Sequence, residues 1–230
     1  MNEVAYRQRR EEIETYFDRT AADAWARLTS SAPVSGIRAT VRAGRDRTRS
    51  TLLAWLPDDL HGRRILDAGC GTGALAVEAA RRGADVVAID LSPTLVDLAR
   101  ERMPTDLSGR IDWHSGDMLD PSLGRFDHVV GMDSLIHYER ENVVQALVTL
   151  APRTSQSIVF TFAPRTPMLA AMRVIGRILP KSDRSPAIVP VAENFLRTEL
   201  VRQMPGWRVG RDLRVSTSFY KSHSLELLAP

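Results

Sequence analysis

The residues best suited to chemistry lie in one short stretch, where an apolar run meets an acid and a set of glycines. Asp67 ends a run of the kind that forms buried parallel strands. Three glycines then alternate with small residues at Gly69, Gly71 and Gly73. Glycines permit a tight turn and let a ligand approach the backbone closely. A strand, a glycine turn and a helix together predict a nucleotide-type binding site.

Further candidate binding residues follow the next two predicted strands. Asp90 lies about 20 residues beyond Gly69, where an acid that binds a ribose is expected. Leu91 follows it directly. Asp117 and Met118 follow the third strand, where a carboxylate and a thioether could hold an adenine amino group and its ring face. All of these side chains are expected at the carboxyl edge of one sheet.

Two kinds of nucleotide ligand fit this pattern. Gly69, Gly71 and Ala74 satisfy the dinucleotide fingerprint, so a nicotinamide dinucleotide stays an alternative. The G-x-G-x-G spacing, the acid at Asp67 and the pair after the third strand favour S-adenosylmethionine instead. Asp67 in particular is placed where its carboxylate can reach a cationic amine.

The elements that position these residues alternate between strand and helix patterns. This alternation is typical of an α/β fold with a parallel sheet. The last two predicted strands follow a predicted helix at 193–204 and are joined by a short connection, so they should be antiparallel neighbours. The seven predicted strands span 64–68, 86–90, 111–114, 126–132, 157–162, 207–216 and 219–228. Between them, Ser92 and Pro93 are expected to begin a helix as N-cap and first helical residue.

The chain divides into an arm and one main domain. Residues 1–56 are expected to form a helical arm or lid, with helices at 3–29, broken near residues 18–20, and at 37–56. The residues predicted to face inward from the second of these are Ile37, Val41, Leu52, Leu53 and Leu56. Residues 57–230 form the predicted main domain. An insertion at 164–190 interrupts the alternation and contains a helix-like run at 168–179.

Composition limits the possible functions. The 31 basic and 28 acidic residues give a net charge of only +3, and no basic run is interleaved with aromatics, so nucleic acid is not an expected partner. The only cysteine, Cys70, excludes an intrachain disulfide. The apolar stretch 167–180 contains Arg173 and Arg177 and is too short to span a bilayer. We expect a cytoplasmic protein, with peripheral membrane contact as a further possibility.

The whole constellation resembles the class I S-adenosylmethionine-dependent methyltransferases. Residues 67–73 match the first motif of that family, and Asp90 matches its ribose-binding acid. Asp117 with Met118 matches the adenine contact, and Met132 belongs to the segment that lines the methionine end. The resemblance implies a Rossmann-like, seven-stranded, mostly parallel sheet with helices on both faces, a helical arm before it and an insertion after strand five.

The flanking segments resemble one subfamily, the magnesium protoporphyrin IX O-methyltransferases, most closely its bacteriochlorophyll branch. The matching segments are 16–28, 41–56, 132–138 and 162–167. This resemblance implies methyl transfer from S-adenosylmethionine to a propionate of magnesium protoporphyrin IX. It also implies an interaction with a magnesium chelatase subunit. A tyrosine that some members carry after the Trp25 segment is replaced by Thr29, so no catalytic tyrosine is assigned there.

Candidate substrate contacts are less specific than the cofactor motifs. His137 follows the fourth strand and is the candidate catalytic residue, because it could orient a carboxylate. Cations are expected at a propionate that does not react, since an arginine on the attacking oxygen would stabilise the reactants more than the transition state. No protein metal ligand is expected. The candidate substrate-binding residues are Trp25, Arg38, Arg42, Tyr138 and Arg165.

Two other functions remain open from the sequence. A methyltransferase that acts on another small acid, amine or phenol would share every core motif and differ only in its flanks. A non-catalytic nucleotide-binding module that works through a partner would share the glycine turn as well.

Overall fold

The computed structural model describes residues 3–20, 25, 27–29, 33–34, 36–165 and 187–230. The strands are β1 (Arg64–Ala68), β2 (Asp85–Asp90), β3 (Arg110–Ser115), β4 (Phe126–Gly131), β5 (Thr154–Phe162), β6 (Arg208–Ser216) and β7 (Lys221–Leu228). The helices are α1 (Glu3–Thr15), α2 (Ile37–Ala54), α3 (Ala74–Arg81), α4 (Pro93–Glu101), α5 (Arg140–Leu150) and α6 (Glu193–Gln203), and a π-helical turn (Tyr16–Thr20) follows α1.

All seven strands form one sheet in the order β3-β2-β1-β4-β5-β7-β6. The first five strands run parallel to one another, whereas β7 runs antiparallel to both β5 and β6. The predicted seven-stranded, mostly parallel, Rossmann-like sheet with a helical arm is therefore confirmed, including the antiparallel pairing of the last two strands.

Side chains that alternate along the central strands build an apolar core on each face of the sheet. Leu66 and Val129 pack with residues of α1, α5 and α6 on one face. Ile65 and Val130 pack with residues of α2, α3 and α4 on the other. Because both faces are covered, these strands are apolar at nearly every position, as parallel strands usually are.

Several local predictions can be compared with the structure. Ser92 caps α4, since its hydroxyl accepts the backbone N–H of Leu95, with Pro93 at the first helical position as predicted. The helix expected over 3–29 does break, but at Thr15, where the π-helical turn begins. The inward orientation of Ile37 is wrong, because its side chain is 56% exposed. The buried positions of α2 begin only at Gly44, about two turns further along the helix.

The insertion after β5 is described only at its two ends. Pro164 forms a bridge with Val191, and the backbone N–H of Val189 donates to the carbonyl of Ile136. The helix expected at 168–179 lies outside the described residues. None of the described helices is long and apolar enough to cross a membrane.

Helix α2 lies against the β6–β7 hairpin through a glycine. A Cβ added at Gly44 would lie 2.4 Å from Cδ1 of Tyr220, well inside contact distance. Glycine in the middle of a helix is otherwise unfavourable by about 1 kcal/mol relative to alanine. The close approach of the tyrosine ring is therefore the reason for glycine at this position.

We predict that Gly44→Ala lowers the free energy of unfolding by about 1–2 kcal/mol, because the overpacking cost of about 1–3 kcal/mol exceeds the gain in helix propensity. Denaturant unfolding monitored by circular dichroism measures this change. Ser50→Ala, on the exposed side of the same helix, should change stability by less than about 0.5 kcal/mol. An increase in stability for Gly44→Ala would contradict the packing explanation.

Candidate active site

A cavity of about 420 Å³ opens at the carboxyl edge of the sheet, where β1 and β4 lie side by side. Its floor is formed by the glycine turn after β1 and by residues that follow β2, β3 and β4. The π-helical turn, the Trp25 segment and α2 form its other side. The cavity therefore lies at the point where strand order reverses, the usual ligand position in such sheets.

The glycine turn is built by backbone contacts to the neighbouring strand. The N–H groups of Gly69 and Cys70 donate to the carbonyl of Ile89 at 2.8 and 3.0 Å. Gly69 and Gly71 both have positive φ angles, 88° and 53°. A Cβ at Gly69 would lie 2.3 Å from the Cβ of Ser134, so the segment after β4 approaches this turn too closely for any side chain.

Gly73 has a different role from the two glycines before it. It is the left-handed N-cap of α3, with a φ of 79°. A Cβ there would lie 2.3 Å from the ring of Trp113. Gly73 does not line the cavity, and glycine is needed there because of the left-handed N-cap and the close approach of Trp113.

Asp90 supports the turn from the end of β2. Its carboxylate accepts the N–H of Gly71 at 2.8 Å and the N–H of Ser92 at 3.0 Å. Burial raises the pKa of Asp90, although these backbone donors oppose the shift. The side chain borders the cavity together with Leu91, so it can meet a ligand at the edge of the turn.

Asp67 is a buried acid beneath the cavity, with only 1% of its surface exposed. Its Oδ2 atom has no hydrogen-bond partner among the described residues, and the same is true of Ser134 Oγ. Burial, and to a lesser degree the charge of Asp90, raise the pKa of Asp67 to about 7. An orphaned carboxylate oxygen of this kind fits a ligand that carries a cationic amine.

The arm reaches the cavity at Asp117. The carboxylate of Asp117 accepts the hydroxyl of Tyr6 at 3.1 Å and pairs with Arg10 at 2.8 Å. It also accepts the backbone N–H of Leu119 at 2.9 Å. Met118 lines the cavity beside it. Both oxygens of Asp117 are thus engaged by the protein, a contact that the sequence analysis did not predict.

A second contact holds the arm at the start of α4. Asp18, in the π-helical turn, accepts the backbone N–H of Thr94 at 3.0 Å and the hydroxyl of Ser92 at 3.1 Å. A hydrogen bond from the Thr94 side chain, together with those from the Thr94 backbone and Ser92, lowers the pKa of Asp18, although burial opposes the shift. A carboxylate at a helix N-terminus is also favoured by the helix dipole.

His137 lies at the other end of the cavity, in a short 3₁₀ turn after β4. It is 7% exposed, and its ring centroid lies 5.6 Å from that of Phe17. Arg9 donates to the His137 carbonyl at 2.7 Å. Tyr138 is buried and stacks on Tyr6 at 5.3 Å between ring centroids. The arm therefore packs against His137 and Tyr138, two of the residues that were predicted to meet the substrate.

The arginines of α2 that line the cavity have partners within the protein. Arg42, a predicted substrate contact, donates to the backbone carbonyls of residues 28 and 27 at 2.8 and 2.7 Å. Arg45 pairs with Asp133 and Arg49 with Asp46. The sequence analysis identified this basic face but not these partners. Two other predicted contacts, Arg38 and Arg165, do not line the cavity; Arg165 borders a second depression near α6.

Asp133 collects polar contacts from distant parts of the chain. Its carboxylate accepts the Tyr220 hydroxyl at 3.0 Å and the Thr161 hydroxyl at 3.2 Å, in addition to the ion pair with Arg45. Tyr220 and Thr161 were not predicted to take part in the site. Only the position of Asp133, directly after Met132 at the end of β4, pointed to this location.

Most of the predicted site residues lie around one cavity. Those that line it are Trp25, Arg42, Asp67, Gly69, Gly71, Asp90, Leu91, Asp117, Met118, Met132, His137 and Tyr138. Those that do not are Arg38, Gly73 and Arg165. The cavity is thus lined by a buried acid suited to an amine, by an acid beside each neighbouring strand end, and by a histidine that follows β4.

Comparison with known proteins gives a consistent result along the whole chain. Residues 131–229 match the family model described as the magnesium-protoporphyrin IX methyltransferase C-terminus, and residues 65–154 match a methyltransferase domain model. The chain is 49% identical to the magnesium-protoporphyrin O-methyltransferase of Rhodobacter capsulatus, over 96% of this chain and 97% of that relative. It is 30% identical to the Synechocystis enzyme of the same name, over 93% and 94%.

A solved structure gives the same result. The crystal structure of magnesium protoporphyrin IX methyltransferase from Synechocystis PCC 6803 with bound SAH has a TM-score of 0.82 and 26% identity, covering 96% of this chain and 99% of that one. The extent of these matches, in both sequence and fold, shows that the chain belongs to the family of magnesium-protoporphyrin O-methyltransferases.

Proposed function

We propose that the protein transfers a methyl group from S-adenosylmethionine to a propionate carboxylate of magnesium protoporphyrin IX, giving the monomethyl ester in bacteriochlorophyll or chlorophyll synthesis. The observation that carries this proposal is the extent of the match: relatives named for this activity align with the arm, the core and the last strands together. Relatives named for ubiquinone biosynthesis O-methylation cover only 54% of the chain. The flanks that hold the acceptor therefore favour the porphyrin over another small acid, amine or phenol.

The cavity fits S-adenosylmethionine on its own geometry. The glycine turn leaves room for close approach, and the orphaned oxygens of Asp67 and Ser134 suit the polar groups of an amino acid. Asp90 and Asp117 would border the ribose and the adenine. When bound, the cofactor supplies an electrophilic methyl group on a positively charged sulfur. A dinucleotide has no comparable cationic amine for Asp67 to balance.

The reaction does not need a strong general base. A propionic acid with a pKa near 4.3 is already ionised at neutral pH, so its oxygen is a competent nucleophile as it binds. The protein contributes mainly by positioning the carboxylate and excluding water. His137 is the residue best placed to hydrogen-bond and orient that carboxylate, because it lines the cavity at the end of β4.

The arm is proposed to close over the substrate. Residues 1–56 would form a lid with the 164–190 insertion, and Trp25 would cover the cavity opening. The support is the packing of Phe17 against Trp25, with ring centroids 5.6 Å apart, and against His137. Protection of the arm from trypsin by added magnesium protoporphyrin IX tests this lid; identical cleavage with and without porphyrin would exclude it.

The proposal also includes a partner protein and contact with a membrane surface. The family resemblance implies a magnesium chelatase subunit as partner, and direct transfer of the porphyrin from that subunit would keep the macrocycle out of water. The mixture of Met, Ile and Arg at 168–179 suits the surface of a membrane. Co-sedimentation with purified chelatase subunits and with anionic vesicles tests the two contacts. If the protein sediments with neither, both contacts are excluded.

The function is tested directly by an assay with the purified protein, S-adenosylmethionine and magnesium protoporphyrin IX. We expect one methyl ester per porphyrin by mass spectrometry and conversion of the donor to S-adenosylhomocysteine. Protoporphyrin dimethyl ester, which has no free carboxylate, should accept no methyl group. Donor binding without transfer would support the non-catalytic alternative instead.

Cofactor affinity should depend on pH through Asp67. Because its pKa is about 7, the carboxyl is increasingly protonated as the pH falls below 7, and the neutral acid cannot balance a cationic amine. We expect the Kd for S-adenosylmethionine to rise by about fivefold between pH 7 and pH 6, because the ionised fraction of Asp67 falls by that factor. Titration calorimetry measures the change.

Asp67→Asn should bind S-adenosylmethionine at least about tenfold more weakly at pH 7.5, as expected for the loss of a hydrogen bond to a charged group, and should show no such pH dependence. Asp59→Asn, an exposed substitution, is the matched control and should behave like the unmodified protein. A pH dependence that survives in Asp67→Asn would assign the titration to another group.

His137→Ala should lower kcat by about 10- to 100-fold, because a hydrogen bond to a charged carboxylate is worth about 1.5–3 kcal/mol. Cofactor affinity should stay within about twofold, since the Asp67 end of the cavity is unchanged. His114→Ala, on the edge strand β3, is the control and should leave turnover unaltered. Equal kcat values for the two variants would remove His137 from the reaction.

A further inference from the structure

An ion pair between α2 and the end of β4 lies in the wall of the cavity. Arg45 Nη1 contacts Asp133 Oδ2, and the side chains are 18% and 6% exposed. Both residues line the cavity. A pair this shielded from water is weakened little by salt, so the guanidinium charge is already balanced inside the protein.

The carboxylate of this pair is held in one orientation by the fold. Asp133 has a φ of 55°, and no other described residue apart from glycine has a positive φ. Its backbone N–H donates to Thr161 Oγ1 at 2.7 Å. The Tyr220 hydroxyl lies within 3.1 Å of both carboxylate oxygens and 3.2 Å from Thr48 Oγ1. Strain of this kind persists only where the surroundings fix it, and it is concentrated at functional sites.

The Arg45 guanidinium also contacts the Trp25 segment. The Arg45 guanidinium carbon lies 4.6 Å from the centroid of the Trp25 ring, a cation–π contact. Trp25 in turn lies over the glycine turn, since a Cβ at Gly71 would be 3.4 Å from its Nε1. Asp133 therefore fixes Arg45, and Arg45 supports the aromatic side chain that covers the cavity.

The charge of Arg45 matters for the reaction proposed above. When a carboxylate is methylated by a cationic donor, both charges are lost. A guanidinium paired with that carboxylate would stabilise the reactants more than the transition state, so it would tighten binding and slow the chemistry. An unbalanced arginine in the cavity wall would therefore be harmful to turnover, although it would help binding.

We propose that Asp133 is a positioning and charge-balancing residue. It keeps Arg45 paired inside the protein, so that the guanidinium supports Trp25 and does not capture the carboxylate of the substrate. This inference rests on the proposed function, because it presumes that the acceptor is a carboxylate that binds in this cavity.

The test compares Asp133→Asn with the unmodified protein. Asparagine has nearly the same shape and tolerates a positive φ, so the variant removes the charge with little change in packing. We expect the Kd for magnesium protoporphyrin IX, measured by absorbance titration without cofactor, to fall about fivefold. We expect kcat to fall at least as much, so that affinity and turnover change in opposite directions.

Two controls distinguish an electrostatic effect of Asp133→Asn from a structural one. The Kd for magnesium protoporphyrin dimethyl ester, which has no free carboxylate, should be the same for Asp133→Asn and the unmodified protein. Adding Arg45→Gln to Asp133→Asn should return the Kd for the diacid to its original value. A merely structural role would lower the melting temperature and weaken the binding of diacid and diester alike, which would overturn the proposal.

Arg45→Lys alone keeps the test decisive if Asp133→Asn does not fold, because it keeps a cation beside Asp133 and leaves the pair balanced. The proposal predicts an unchanged Kd for the diacid and altered tryptophan fluorescence, because Trp25 loses the guanidinium that packs on its ring. A Kd that rises for the diacid but not for the diester would make Arg45 a direct ligand of the carboxylate and would refute the proposal. Failure of the unmodified protein to methylate the porphyrin would refute the proposed function itself, independently of these ratios.

Discussion

The site depends on one packing constraint between two neighbouring strand ends. The turn after β1 and the segment after β4 touch with no side chain between them, since a Cβ added at Gly69 would lie only 2.3 Å from the Cβ of Ser134. Because β2 lies on one side of β1 and β4 on the other, the chain leaves the sheet in opposite directions at this point. The cavity is the space between these departing segments. Asp67 lies at its base and His137 at its far end for this reason.

The same close packing shields Asp67 from solvent, and the electrostatics of the site follow from that. Asp67 lies where a carboxylate is costly to ionise, so its charge is available to a cationic ligand but is not satisfied by solvent. The acids around it differ in this respect. Asp90 is bonded to backbone N–H groups, Asp117 to the arm, and Asp133 to an arginine. Of these four acids, Asp67 alone has an oxygen atom without a hydrogen-bond partner among the described residues.

The amino-acid sequence was sufficient for the parts of the molecule that depend on local patterns. The glycine turn, the cap at Ser92 and the positions of the seven strands follow from short apolar runs and their flanking residues, although β5 begins at Thr154, three residues before its predicted start. The grouping of Asp67, Asp90 and Asp117 followed from one general rule, that parallel strands end at the same edge of a sheet. The amino-acid sequence was not sufficient to predict which partners the side chains of α2 have. Helical spacing gives a basic face, but it does not say that Arg42 binds carbonyls whereas Arg45 binds Asp133. Those choices depend on how α2 lies against the earlier part of the arm and on a hairpin far along the chain.

The contact between Tyr220 and Asp133 has a consequence for the order in which the molecule assembles. The two residues are 87 positions apart, and β7 lies between β5 and β6 in the sheet. During synthesis from the N-terminus, the glycine turn and its acids are made early and form from local contacts. The hairpin that completes the polar cluster is made later, and its contact with Asp133 closes a loop of 87 residues. A chain released before this hairpin would retain the elements of the donor pocket and lack the anchor of its wall, so the site cannot be complete until the hairpin has been made.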